Sequence, residues 1–416
     1  MRLVLRHKSV DEFDQPAGTD GTIVILEELH RGIQQFCRLD SHQIPVFFFE
    51  KLNSRMRQRF QRGAKPVFHA AGAIGNASKL SMIAAEKCDD AISLSERIGL
   101  QYNRVALMER HIEISTKPQN STTDVVGLGL NAMDTICVVP CFPEPNGKIH
   151  MRDVRVEPGG QVATALVACA RLGLEARYIG CIGADDWGKA QLASLRAEGL
   201  EVHLREVEGA SSQIAIILLE EGVGERTILW RRDPRLSYPV EQLRRETIVN
   251  CRILHLDGCD SAAALQAARW AHEAGVPVVV DIDEVYDDST HELLRLVDYL
   301  IASSDFAEDP RELADRYGCP VVGITQGAEG ALFVHRGQLM KSSAFRVSVL
   351  DTTGAGDVFH GAFIYGLLQN WALEDVIRFS HAVAAMKCMH FGARRGIPTL
   401  SEVRQFLIER GYTIAP

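Results

Sequence analysis

The sequence predicts an α/β protein, a three-layer α/β/α domain with a mostly parallel central sheet and a small β-sheet lid. Three observations carry this. From Asp124 onward, β-branched runs alternate with segments of helical spacing, the texture of parallel strands covered by helices on both faces. Two stretches break that rhythm by alternating apolar and polar residues, which sets a few strands outside the main sheet. The 416 residues are 46% hydrophobic and 24% charged, enough apolar material for a sizeable core.

Taken in order, residues 1–120 form an N-terminal segment of unknown fold. They hold 17 Lys and Arg against 14 Asp and Glu, net +3; with 45 and 54 in the whole chain, residues 121–416 keep 28 and 40, net −12. That acidic balance argues against nucleic acid as a partner. Helical spacing is visible over 26–36 and 79–98, and the basic cluster 55–62 reads as a solvated helix face. The polar run 116–123, with Pro118, reads as a linker. A start at Met108 would leave 309 residues and make residues 1–107 an artefact of start assignment.

Beyond the linker, strands are expected over 125–130, 176–181, 252–256, 276–281, 299–302 and 320–325, with helices over 162–172, 188–198, 262–274, 292–297 and 310–317. The stretches 151–157, 213–219 and 226–231 are expected as antiparallel strands of the lid, which occupies about 137–160 and 210–233. No apolar run reaches the roughly 18 residues of a membrane span, and Asp11, Glu12 and Asp14 stand where a secretory leader needs apolar residues. Ten cysteines show no C-x-x-C pair and no His at zinc spacing. A cytoplasmic protein with no membrane contact is the expectation.

Chemistry concentrates in Val349-Leu-Asp-Thr-Thr-Gly-Ala-Gly-Asp-Val-Phe-His-Gly-Ala-Phe363. A strand end meets a glycine turn, and a buried helix follows. Amides at such a helix start have no internal partner and sit at the positive end of the helix dipole, so the turn suits a phosphoryl group. A Cβ at Gly354 or Gly356 would obstruct the approach. Asp357 stands where a carboxylate could take the proton of an attacking hydroxyl; an aspartate capping its helix is the alternative. Gly127-Leu-Gly-Leu-Asn-Ala132 fits the dinucleotide fingerprint, but the β-rich stretch 135–140 and Pro140, Pro143 and Pro145 follow where that fingerprint needs a helix.

Asp351-Thr-Thr-Gly-Ala-Gly-Asp357 resembles, without a gap, the C-terminal signature of the ribokinase-like (PfkB-type) carbohydrate kinases, and the resemblance runs over about 124–410, roughly seven tenths of the chain. It implies a ribokinase-like fold and ATP-dependent phosphorylation of a sugar hydroxyl. It makes Asp357 the catalytic base and Gly354, Ala355 and Gly356 the anion hole. Asp351 and Thr353 fall near the phosphates and a monovalent cation, potassium (K+). Thr325, Gly327 and Gly330, in a turn that alone reads as punctuation after a strand, fall beside ATP. His381, by itself a helix histidine, and Gly392 fall at the adenine pocket.

On the acceptor side, Pro158-Gly-Gly-Gln-Val-Ala-Thr164 resembles the family's first signature. This makes Gly159, Gly160, Gln161 and Thr164 sugar contacts, with Thr164 where members often carry Asn. Asp134 matches the carboxylate that grips sugar hydroxyls, a task that suits a group accepting from two neighbours; without the family it is a turn aspartate. Asp257 is a further candidate. Magnesium (Mg2+) is implied, but 301–308 departs from the family's Asn-x-x-Glu motif, with Ser304 and Asp305 in its neighbourhood, so the metal ligands stay unassigned. The lid is expected to close over the sugar and to pair subunits in a homodimer, with Arg226, Arg231 and Arg232 candidates for an anionic sugar substituent. A nucleoside kinase and a non-catalytic sugar or nucleotide sensor remain as alternatives.

Overall fold

The computed structural model describes residues 123–412 apart from 223 and 225. The N-terminal helices, the basic cluster, Met108 and all but the last residue of the linker lie outside the described residues. From the start of this region the chain runs through β1 (Val125–Leu128), β2 (Ala132–Val139), β3 (Asp153–Gly159), α1 (Gln161–Arg171), β4 (Ala176–Gly183), α2 (Asp186–Ala197) and β5 (Glu201–Val207). It continues through β6 (Ile214–Glu220), β7 (Arg226–Arg231), α3 (Arg245–Val249), β8 (Ile253–Leu256), α4 (Ser261–Ala274), β9 (Val278–Ile282) and α5 (Asp288–Leu293). Then come β10 (Tyr299–Ser303), α6 (Pro310–Tyr317), β11 (Val321–Thr325), β12 (Ala331–His335), β13 (Gln338–Ser342), α7 (Ala355–Leu368), α8 (Leu373–Cys388) and α9 (Leu400–Ile408).

Nine strands form the main sheet in the order β13-β12-β11-β10-β9-β8-β1-β4-β5. Seven of these run parallel, from β11 to β5, and only the β12–β13 hairpin at one edge is antiparallel. β1, β8 and β9 are buried along their whole length, as strands covered on both faces must be. On one face, α1, α7 and α8 pack Leu166, Phe363 and Phe379 against Val125 and Ile253. On the other, α4, α5 and α6 pack Ala267, Leu293 and Leu313 against Leu254 and Val280. The helix expected over 292–297 starts earlier, at Asp288, because Asp287 and Thr290 form a capping box there.

The lid is a second sheet in the order β3-β2-β6-β7. Its strands are not all antiparallel as expected: β2 and β6 pair in parallel. The cause is connectivity, since β2 continues from β1 and β6 follows β5, two strands that run the same way in the main sheet. Register puts Asp134, Ile136 and Val138 on one lid face with Ala215, Ile217 and Leu219, and with Arg226, Ile228 and Trp230 of β7. This inner face packs on Phe391. No helix among the described residues is long and apolar enough to cross a membrane.

Candidate active site

The glycine turn opens α7. Gly354 is its N-cap in the left-handed conformation, φ 75°, and a Cβ there would lie 2.7 Å from that of Ala393, so glycine is required twice over. The Ala355 amide donates to the Thr352 carbonyl at 3.1 Å, and Val358 donates back to Gly354 at 3.0 Å. Between them, the amides of Gly356 and Asp357 have no acceptor among the described residues. The Gly354 amide likewise has no acceptor among the described residues, so of the three residues expected at the anion hole, Gly354, Ala355 and Gly356, Ala355 has its amide engaged within the turn. A Cβ on Gly356 would meet no protein atom within 4 Å, so what it would obstruct is the cleft itself.

Asp357 sits in the first turn of α7, half-buried. Burial pushes its carboxyl well above the usual carboxylate range; the negative charges of Asp281 and Asp134 add to this, and Arg226 opposes it. Asp281, near the end of β9, is paired with His360 Nε2 at 3.2 Å, one turn beyond Asp357 on α7. His255 lies beside His360 with ring centroids 5.6 Å apart and planes tilted by 31°, and burial drives it down to about 3.

Opposite the turn, Asp134 is 6% exposed, and no donor among the described residues hydrogen-bonds its carboxylate. Burial pushes it up to about 6, with Arg394 opposing. Gly159 lies directly against this carboxylate, leaving no room for a side chain. Gly160, φ 92°, turns the chain into α1, where Gln161 Nε2 donates to Asp283 Oδ2 at 3.1 Å. Asp283, at the mouth of the cleft, is raised to about 6 by partial desolvation and by Asp281. Thr164 is fully buried, and its hydroxyl accepts from Arg394 Nε at 3.2 Å, so it stands behind the wall formed by Gly159 and Gln161. Asp257 is also placed behind the cleft. It has no exposed surface and accepts the amides of Leu130, at 2.6 Å, and Cys259, at 3.0 Å, bracing two loops.

Residues 122–400 match the profile of the pfkB family carbohydrate kinases. The chain belongs to that family. Among its relatives, the ribokinase of Haemophilus influenzae is 31% identical over 306 residues, covering 69% of this chain and 98% of that one. The ATP-dependent ribose-1-phosphate kinase of Halopiger xanaduensis is 29% identical over 300 residues, with coverage of 69% and 98%. The solved structure of Arabidopsis thaliana ribokinase complexed with ribose and ATP has the same fold, with a TM-score of 0.60 at 22% identity over 68% of this chain and 98% of that one.

In this carbohydrate kinase, the residues expected beside the nucleotide are spread over three loops and helix α8. Thr325, at the end of β11, donates to the Ala302 carbonyl at 3.3 Å. Gly327 is open on its Cβ side, whereas Gly330, φ 101°, is pressed against the backbone of Ser342 and closes the turn. His381 is 5% exposed, packs edge-on against Phe359 at 5.2 Å, and is lowered to about 4 by burial. Asp351 is fully buried; its carboxylate accepts the amides of Thr353 and Gly392, both at 2.8 Å, and so ties the glycine turn to the loop after α8. Among the described residues no group of three or more His, Cys, Asp or Glu could hold a metal ion.

Several residues of the kinase escaped the sequence reading. Arg394, 2% exposed, donates to Thr164, to Asn131 Oδ1 at 3.1 Å, to Ser194 Oγ at 3.3 Å and to the Gly159 carbonyl, and so fixes the acceptor-side wall. Asp281 and Asp283 lie at the carboxyl end of a parallel strand, the general location of α/β sites, and that position was the available signal. The lid arginines do not stand free for an anionic sugar. Arg226 Nη1 donates to Thr352 Oγ1 of the glycine loop at 2.6 Å. Arg232 is held on Asp260 at 2.9 Å, and Arg231 lies on the outer lid face.

Proposed function

We propose that this kinase transfers the terminal phosphoryl group of ATP to a hydroxyl of an uncharged sugar, and that residues 121–416 hold the chemistry. One observation carries the reading. Two amides without an acceptor among the described residues, of Gly356 and Asp357, stand with the Asp357 carboxylate, which feels the charge of the buried Asp134 carboxylate. Asp134 accepts from sugar hydroxyls and orients them. Asp357 takes the proton of the attacking hydroxyl as its oxygen bonds to the terminal phosphorus, and ADP leaves with the electron pair of the broken bond. The two amides receive the charge gathered on the transferring group. Mg2+ bound to the nucleotide's phosphates would neutralise part of their charge. Lid closure excludes water as a competing acceptor.

The charge of the acceptor follows from the same wall. Asp134 and Asp283 face it, while Arg394, Arg232 and Arg226 are each engaged by protein oxygens. An anionic acceptor would meet like charge there, at a cost of several kcal/mol. ADP release measured with ribose, hexoses, ribose 1-phosphate and inosine tests both levels. Release with no acceptor sinks the kinase reading, and equal use of ribose 1-phosphate and ribose sinks the uncharged acceptor. A nucleoside acceptor is the second reading, favoured by Trp230 and Ile228, 59% and 46% exposed on the inner lid face, where a flat base could stack.

The outer lid face gathers Val154, Val156, Ile216 and Leu229, each 44–55% exposed. A second copy of the chain would cover it, making a homodimer whose solution mass should halve on Leu229→Lys. We place the kinase in the cytoplasm, where ATP is available.

A further inference from the structure

Lys387 is a buried cation with no part in the steps above. It lies in the last turn of α8, its side chain has no exposed surface, and its Nζ donates to the backbone carbonyl of Asp351 at 2.8 Å, at the start of the glycine loop. Oxygens of Asp351 and Cys388 also accept backbone amides of the loop. The Asp351 carboxylate holds the amides of Thr353 and Gly392, and the Cys388 carbonyl takes those of Leu350, at 2.8 Å, and Asp351, at 3.3 Å. Among the buried side-chain oxygens of the described residues in the glycine loop, Thr353 Oγ1 has no partner.

Potassium, which the family resemblance brings to Asp351 and Thr353, needs a shell of oxygens that replaces its hydration. A fixed ammonium already sits on the Asp351 carbonyl, and a second cation beside it would meet like charge, so K+ does not fit here. An ammonium group is close to K+ in size and charge. We infer that Lys387 stands in for the monovalent cation, its ammonium fixing a positive charge and the Asp351 carbonyl beneath the glycine turn, so that this kinase works without potassium. Burial pulls the Lys387 ammonium toward its neutral form, while the negative charges of Asp351 and Asp357 favour the charged one.

The inference rests on the proposed kinase activity, so its test has a readout that does not. ADP release by the full-length protein is measured in KCl and in tetramethylammonium chloride, and thermal unfolding is followed in the same two salts. Wild type is expected to show the same rate and the same midpoint in both. Lys387→Ala is expected to lose about tenfold or more of its rate in tetramethylammonium chloride and to regain it in KCl or NH4Cl, with a midpoint raised by K+ alone. Potassium activation of wild type overturns the inference, as does a folded Lys387→Ala that K+ neither reactivates nor stabilises. Should Lys387→Ala fail to fold in either salt, the wild-type comparison decides. If no acceptor yields ADP, the kinase reading fails, and the unfolding midpoints still decide for or against Lys387.

Discussion

The two sides of the cleft are built from different materials. The phosphoryl side is backbone: a left-handed glycine at position 354 and the open amides of Gly356 and Asp357, set by one continuous turn. The acceptor side is side chains, Asp134 from β2, Gln161 from α1, Asp283 from the loop after β9, with Arg394 behind them. A backbone nest tolerates little change, because its geometry is one conformation of a few consecutive residues. A wall of side chains from separate elements can be altered piece by piece, which is how one fold serves different acceptors. Damage on the phosphoryl side should therefore fall on kcat, and damage on the acceptor side on KM and stability.

The largest effect that would sharpen this contrast is expected from Gly354→Ala. The substitution forces a Cβ into the left-handed region and against Ala393. It should lower kcat on the order of 100- to 1,000-fold with acceptor KM little changed, read by steady-state kinetics. A KM effect alone would break the comparison. Next, Arg394→Met should cost about 3–5 kcal/mol of stability in chemical denaturation, since Asn131, Thr164 and the Gly159 carbonyl lose a buried charged donor. Acceptor KM should rise in what folds, with a smaller effect on kcat.

A smaller effect is expected from Arg226→Ala, which removes the lid's contact with Thr352 and should lower kcat about tenfold. It also has a pH signature. Asp357 accepts a proton only when ionised, so activity is low in acid and rises as pH passes its raised pKa. Arg226 holds that pKa down, so its loss should move the rise to higher pH. A rise shifted to lower pH, or left in place, would mean that the lid arginine does not face the base.

The same contrast explains what could be read from sequence. The strand–helix alternation was legible because each parallel strand is an unbroken buried run, and the glycine turn because its residues are contiguous. The helix start at Asp288 depended on one capping pair, Asp287 and Thr290, at the edge of a weak periodic pattern. The edge hairpin β12–β13 had a signal, Arg336-Gly337, both at positive φ, as a two-residue hairpin turn requires. Arg394, Asp283 and Lys387 carry no motif. Each is a single residue whose meaning arises when distant segments meet, although a lysine between Met386 and Cys388 in an apolar helix end was a visible oddity. Thr164 and Asp257 match in type, yet burial sets both behind the cleft.

The most direct test is Asp357→Asn, assayed for phosphoryl transfer in a single turnover and for ATP and sugar binding on the same sample. The substitution keeps the shape of the turn and removes the proton acceptor. Transfer should fall by about 100- to 10,000-fold while both ligands still bind with near wild-type affinity. Transfer at close to the wild-type rate would show that Asp357 is not the base and would overturn the account.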